Sequence, residues 1–175
     1  LPNWPRGYVH VYTGDGKGKT TAALGLALRA VGAGLRVYIA QFVKGMHYSE
    51  LDALTRFDDQ ITVRQFGRGC FIHNEPTPDD VRAARAGLTE ARDILVAGEH
   101  RLVILDEANI ATHFGLFSVD DLLATIDAKP PAIELVITGR RADPRVLDRA
   151  DLATEMRELR HYYNQGVPAR RGIEK

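Results

Sequence analysis

Gly14-Asp15-Gly16-Lys17-Gly18-Lys19-Thr20-Thr21 is the stretch on which the reading of this chain turns. Before it, Tyr8 to Thr13 is rich in β-branched and aromatic residues and runs straight into glycine, the pattern of a buried strand that ends at a turn. After it, Ala22, Ala23, Leu26, Ala27, Ala30 and Val31 recur at helical spacing from Lys19 to Ala33, until Gly32 and Gly34 stop the helix. A glycine-rich string between a strand and a helix is the setting of a phosphate-binding loop. Its glycines let successive backbone N–H groups turn onto anionic oxygens, the helix N-terminus adds its positive end, Lys19 supplies a point charge and Thr20 can ligate Mg²⁺. The candidate ATP-binding residues are therefore Gly14, Asp15, Gly16, Lys17, Gly18, Lys19, Thr20 and Thr21, with Mg²⁺ or Mn²⁺ as the accompanying cation. A surface Gly-Lys turn that binds nothing is the bland alternative, and the flanking strand and helix argue against it.

One detail departs from the usual pattern. GxxxxGK[ST] would place its first glycine at position 13, but that residue is Thr13 and the first glycine is Gly14. The cradle is one residue short, which points away from ordinary γ-phosphoryl transfer.

Further along, Arg36–Phe42, Ile61–Phe66, Leu102–Leu105 and Leu135–Thr138 read as strands. Thr77-Pro78-Asp79-Asp80 opens a helix that carries Val81, Ala84, Leu88, Ala91 and Leu95 down one face to Gly98, and Ser118 with Asp121 opens another through Leu122, Leu123 and Ile126. Strands alternating with helices predict an α/β fold, a doubly wound and mostly parallel sheet with helices on both faces. A single domain over residues 1–175 is expected, with an N-terminal extension at 1–6. The polar, Gly-rich end at 163–175 reads as a mobile tail or a flap, and the stretch Gly45–Gln60 fits no element.

Composition narrows the function classes. The 23 basic and 23 acidic residues cancel, so no global positive field gathers nucleic acid or an anionic membrane surface. Apolar runs are short and broken, far from the roughly 20 residues of a membrane span. The single Cys70 can form no internal disulfide, so a reducing, cytoplasmic compartment is expected. The six histidines are scattered, without zinc-ligand spacing.

The second half of the site is Leu102-Val103-Ile104-Leu105-Asp106-Glu107, an apolar strand ending in two carboxylates. Strand ends in such sheets meet the ligand crevice, and Asp106 or Glu107 is expected to hold the metal with Thr20, directly or through water. A role for Asp106 in merely capping the next turn is the alternative. Arg29 on the loop's helix and Arg140 and Arg141 beyond Thr138-Gly139 are candidate phosphate contacts, although solvated arginines are common.

These segments together resemble the P-loop type cob(I)alamin, or corrinoid, adenosyltransferases. The match runs from Tyr8 to Glu174 through GDGKGKTTAALG, Gln41-Phe42-Val43-Lys44-Gly45, LVILDEAN, VITGR, ADLATEMRELRH and GVPARRGIEK. The resemblance implies a RecA-like sheet, a homodimer, ATP and a corrinoid as substrates, and an electron-donating flavoprotein or reductase as partner. It also implies an enzyme that moves the 5′-deoxyadenosyl group of ATP to Co(I) and releases intact triphosphate, in adenosylcobalamin synthesis or salvage. ATP would lie with reversed polarity in the short cradle, C5′ toward its attacker.

On that reading Lys19, Thr20, Glu107 and Arg29 are the candidate catalytic residues, with Arg140 assisting the phosphates. Co(I) is a nucleophile in its own right, so no general base is needed and the absence of a Ser-His or Cys-His pair is expected. Family members place Phe and Trp after the third strand to displace the lower axial ligand of cobalt. Here the stretch is Gly69-Cys70-Phe71-Ile72-His73, without the Trp, so Phe71, Ile72 and His73 are the candidate corrinoid contacts and Phe71 alternatively just packs. Cys70 reads as a small hydrophobe. Two other classes compete: a conventional P-loop ATPase or small-molecule kinase with Glu107 orienting water, and a non-catalytic module that binds ATP or ferries corrinoid.

Overall fold

The structure, a computed structural model, describes residues 4–68 and 75–174. Strand β1 (Val9–Thr13) enters the loop, and helix α1 (Lys19–Gly32) leaves it. Next come β2 (Val37–Phe42), a short α2 (Ser49–Leu54), β3 (Ile61–Phe66) and the long α3 (Pro78–Ala97). Then β4 (Leu102–Asp106), α4 (Ala108–His113), α5 (Val119–Asp127), β5 (Glu134–Thr138), α6 (Pro144–Leu147) and β6 (Leu152–Glu155) complete the order. All six strands are parallel, in the order β3-β2-β4-β5-β1-β6.

The alternation of side chains splits the core between two faces. Val37, Ile39, Leu102, Ile104 and Val136 turn toward Ala23, Ala27 and Ala30 of α1. Tyr38, Ala40, Val103, Leu105 and Ile137 turn the other way, against Ala84, Leu88, Ala91 and Leu95 of α3 and Leu122 of α5. Alanines on α1 bring its axis close to the sheet, which seats the helix N-terminus at the strand ends. Both predicted helix starts carry reciprocal caps: the Thr77 and Ser118 hydroxyls accept from the amides of Asp80 and Asp121, whose carboxylates accept in return.

The predicted doubly wound sheet is the observed one, with strand ends within a residue of expectation. The segment 45–60, which fitted no element, forms α2 and a 3₁₀ turn at Thr55–Phe57, with Leu54 and Phe57 packed on the α1 side of the core. Strand β6 and helices α4 and α6 were not foreseen. The C-terminal end folds back, through a 3₁₀ turn at Tyr162–Gln165, onto the loop that follows β1. No helix among the described residues is long and apolar enough to cross a membrane.

Candidate active site

The cleft's central side chains, Lys19, Thr20, Lys44, Asp106, Glu107, Thr138 and Arg140, lie at the carboxyl end of a parallel strand or in the loop or helix start directly after it. In an all-parallel sheet these ends lie on one side, and the crevice forms where neighbouring connections diverge. Here the strand order separates β1 from β2 by two strands, so the loops after β1, β2, β4 and β5 surround one open cleft of about 1070 Å³.

The loop after β1 is held in shape from outside. The Gly16 amide donates to the Met156 carbonyl at 2.6 Å, and Met156 in turn donates to Thr13 at 2.8 Å, just beyond β6. A Cβ on Gly14, whose φ is +94°, would lie 2.5 Å from the Met156 oxygen, and one on Gly16 would lie 2.6 Å from it. Glycine is thus required by the strap that supports the loop as well as by the turn. Within the loop, the buried Lys19 ammonium donates to the carbonyls of Gly14 at 2.6 Å and Gly16 at 2.7 Å. Burial pulls its pKa below the ordinary lysine value, against the pull of Glu107.

Asp106 is the centre of a saturated network. Its Oδ1 accepts from Thr20 Oγ1 at 2.9 Å and from Thr138 Oγ1 at 2.7 Å. Its Oδ2 accepts from Lys44 Nζ at 2.6 Å and, at 3.4 Å, from Gln41 Nε2. Lys44 and Asp106 side chains are 7% and 2% exposed, so this is a buried ion pair. Burial alone would depress the Lys44 ammonium, but the charge and hydrogen bond of Asp106 outweigh it and hold the pKa above the ordinary value.

Glu107 differs from its neighbour. Its backbone is left-handed, φ 63°, with the amide donating to Thr138 Oγ1 at 3.0 Å. That turn directs the carboxyl into the cleft, where it accepts no hydrogen bond from a described residue. Burial first, and then the charge of Asp106, push its pKa above the usual carboxylate range. Val43 and Arg141 are the other non-glycine residues with positive φ among those described, and both also line the cleft just past a strand. Such conformations are costly for a non-glycine residue, and they recur where a site re-aims its side chains.

Because the native Glu107 pKa lies above its unfolded value, the folded state keeps the proton longer. Stability is therefore lost as pH rises from the unfolded carboxylate value of about 4.3 through the raised native one. Glu107→Gln should raise the melting temperature at pH 8, with the gain fading below pH 4; a loss at pH 8 would mean that Lys19, Lys44 and Arg140 over-compensate the buried charge.

The predicted residues Asp15, Gly16, Lys17, Gly18, Lys19, Thr20 and Thr21 line the cleft, as do Glu107, Arg140 and Arg141. Gly14 contributes its carbonyl to Lys19 instead of a cleft surface. Arg29 is brought to a different place: it is ten residues beyond Lys19 on α1, about 15 Å along the axis, exposed and near Tyr12. It is not among the residues lining the cleft, although Leu28 beside it is, because one residue further along a helix turns the side chain about 100° to another face. The proposed corrinoid contacts Phe71, Ile72 and His73 lie outside the described residues.

Lys44, Thr138 and Gln41 were missed as site residues. Gln41 and Lys44 stood in a quoted family segment and Thr138 stood in VITGR, and that was the available signal. The tail supplies a further wall: Lys17 Nζ donates to the Ile173 carbonyl at 2.8 Å and lies 3.7 Å from Glu174. Hydrogen bonds from Arg170 and Tyr162 hold the Glu174 carboxyl down to about 2.

A metal fits this donor set in one way. No cluster of three or more His, Cys, Asp or Glu is present among the described residues. Mg²⁺ needs no such cage, since it is typically bound by one or two protein oxygens, substrate phosphates and water. The Glu107 carboxylate, unpartnered among the described residues, and the Thr20 hydroxyl suit it; Asp106, with both oxygens engaged and an ammonium against one, suits the role of orienting Thr20.

The sequence profile of the family described as ATP:corrinoid adenosyltransferase BtuR/CobO/CobP matches residues 5–174. A corrinoid adenosyltransferase of Pseudomonas aeruginosa is 35% identical over 97% of this chain and 84% of its own length. The corrinoid adenosyltransferase CobA of Salmonella typhimurium is 33% identical over 97% of this chain and 86% of its own. A longer, uncharacterized protein of Nostoc sp. is 39% identical over 89% of this chain and 45% of its own length. With a match that spans the loop, the Asp106 strand and the tail together, this chain belongs to the ATP:corrinoid adenosyltransferase family.

Proposed function

We infer that this protein transfers the 5′-deoxyadenosyl group of ATP to the cobalt of a reduced corrinoid and releases triphosphate. The observation that carries the reading is the one-residue-short phosphate loop, set beside a partnered Asp106 and an open cleft, in a chain of this family. In the transfer, the cobalt lone pair of the Co(I) substrate forms the Co–C5′ bond as the C5′–O bond breaks. The electron pair leaves with the triphosphate oxygen.

No proton moves, so the protein's task is charge and position. Lys19 and the loop amides neutralise the departing anion, Arg140 adds a guanidinium from beyond β5, and α1 points its positive end at the same place. Thr20 and Glu107 would hold Mg²⁺, which would supply further positive charge to the phosphates. Attack requires cobalt and C5′ in line at about 3–3.5 Å. Leu24 and Leu28 of α1 and Ile110 and Phe114 after β4 contribute apolar lining to the cleft, which suits a flat macrocycle. Phe71, Ile72 and His73 are proposed as corrinoid contacts on the strength of the family resemblance alone. A homodimer, a cytoplasmic setting and a flavoprotein or other reductase as electron donor complete the proposal, on the strength of the family resemblance.

A second reading is favoured by one observation, the Glu107 carboxyl that accepts no hydrogen bond from a described residue and is placed to orient water at a γ-phosphate. The two separate in one assay. Incubation with ATP and a chemically reduced corrinoid should give a light-sensitive alkylcobalt product, and ATP turnover should require the corrinoid. Corrinoid-independent release of orthophosphate, lost on Glu107→Gln, would select the hydrolase instead.

A further inference from the structure

We propose that Lys44 is a second triphosphate-binding lysine, anchored on Asp106 and Thr20 and donating its remaining N–H to a phosphate oxygen. The role rests on the cleft being a triphosphate site.

An ammonium carries three donors. Two of those on Lys44 point at Asp106 Oδ2, 2.6 Å away, and at Thr20 Oγ1, 3.3 Å away. The partner at the longer distance is the hydroxyl of the phosphate loop itself. Lys44 also lines the cleft alongside Lys19 and Thr20, although its side chain is only 7% exposed. Its charge therefore meets the loop from the β2 side, while Lys19 meets it from within α1.

The backbone is arranged to produce that aim. Val43, immediately before it, is β-branched and left-handed with φ 62°, a conformation that such residues avoid. Behind the turn, Gly67 packs so close that a Cβ there would lie 2.6 Å from the Lys44 carbonyl oxygen. The chain is thus held in a disfavoured conformation, with no slack, at the residue whose ammonium reaches the loop.

The ammonium also lies 5.6 Å from the centre of the Tyr48 ring, but a purely structural pairing gives so strained a placement little return. Asp106 already accepts from two hydroxyls and the Gln41 amide, and a buried ion pair is seldom more stabilising than an apolar pair of similar size. An ammonium fixed beforehand at the phosphates is useful to this reaction, because the leaving triphosphate keeps the electron pair and needs donors that are already in place.

The test is calorimetric titration with inorganic tripolyphosphate in EDTA, so that neither metal nor turnover enters. Lys44→Met should weaken tripolyphosphate binding by about 10- to 100-fold, the loss expected for one charge-assisted contact. Because that variant leaves Asp106 buried without its cation, Lys44→Met with Asp106→Asn is the control. In the double variant thermal stability should recover while tripolyphosphate affinity remains low. Affinity within about twofold of the parent in Lys44→Met, or restored to that level in the double variant, would overturn the role. Failure of the parent protein to bind tripolyphosphate would overturn the triphosphate-site reading, and the role of Lys44 with it.

Discussion

Lys19→Ala should lower ATP affinity by about 100-fold or more, the loss of one or two charge-assisted contacts, while the circular dichroism spectrum and melting temperature stay close to those of the parent. The argument comes from what Lys19 touches. Its ammonium makes both of its protein hydrogen bonds to loop carbonyls, Gly14 and Gly16, that belong to a cradle also held by Met156. Removing it takes a charge from the floor of the cleft, yet the α1 packing through Ala23, Ala27 and Ala30 is untouched. Isothermal titration with ATP and thermal denaturation, run on the same samples, check both halves. Unchanged ATP affinity would mean that the phosphates do not sit in this loop.

Asp106→Ala should do the opposite, with its main cost in stability. It strips the buried Lys44 of its counter-charge and leaves the Thr20 and Thr138 hydroxyls without their acceptor. Breaking a buried pair by removing one partner typically costs about 3–5 kcal/mol, which for a chain of this length is a fall of roughly 6–20 °C in melting temperature. Asp106→Asn keeps an acceptor for the hydroxyls and should cost less. Denaturation of the two variants side by side checks the ordering, and equal stability of Asp106→Ala and the parent would show that the pair is hydrated and contributes little.

These two residues were legible from the sequence because their setting is local. A strand, a glycine turn and a helix start are contiguous for Lys19, and an apolar run ending in acids places Asp106 at a strand's end. Lys44 could not be read in the same way. A lysine after a strand is ordinarily solvated, and this one is buried where Val43 adopts a left-handed turn, Gly67 closes in from a neighbouring strand's end and Asp106 receives the ammonium.

Strand β6 was hidden for a different reason. Its four residues, Leu152–Glu155, are all exposed at a sheet edge, so no hydrophobic alternation marks them, and they are strand only because β1 offers them a ladder. The same holds for the tail, whose order comes from Glu174 meeting Arg170 and Tyr162 while Lys17 reaches across from the loop. Arg29 has a residue type that suits phosphate, but its side chain leaves α1 on a different face from the cleft-lining Leu24 and Leu28, which residue type alone does not reveal.

The central claim is that C5′ of ATP, and not its terminal phosphorus, faces the acceptor. A single turnover with ATP carrying ¹³C at C5′ and a Co(I) corrinoid, followed by ¹³C and ³¹P NMR, tests it. The label should appear as carbon bonded to cobalt, with one equivalent of intact triphosphate. Label retained in ADP or AMP, with orthophosphate or diphosphate as the partner product, would contradict it.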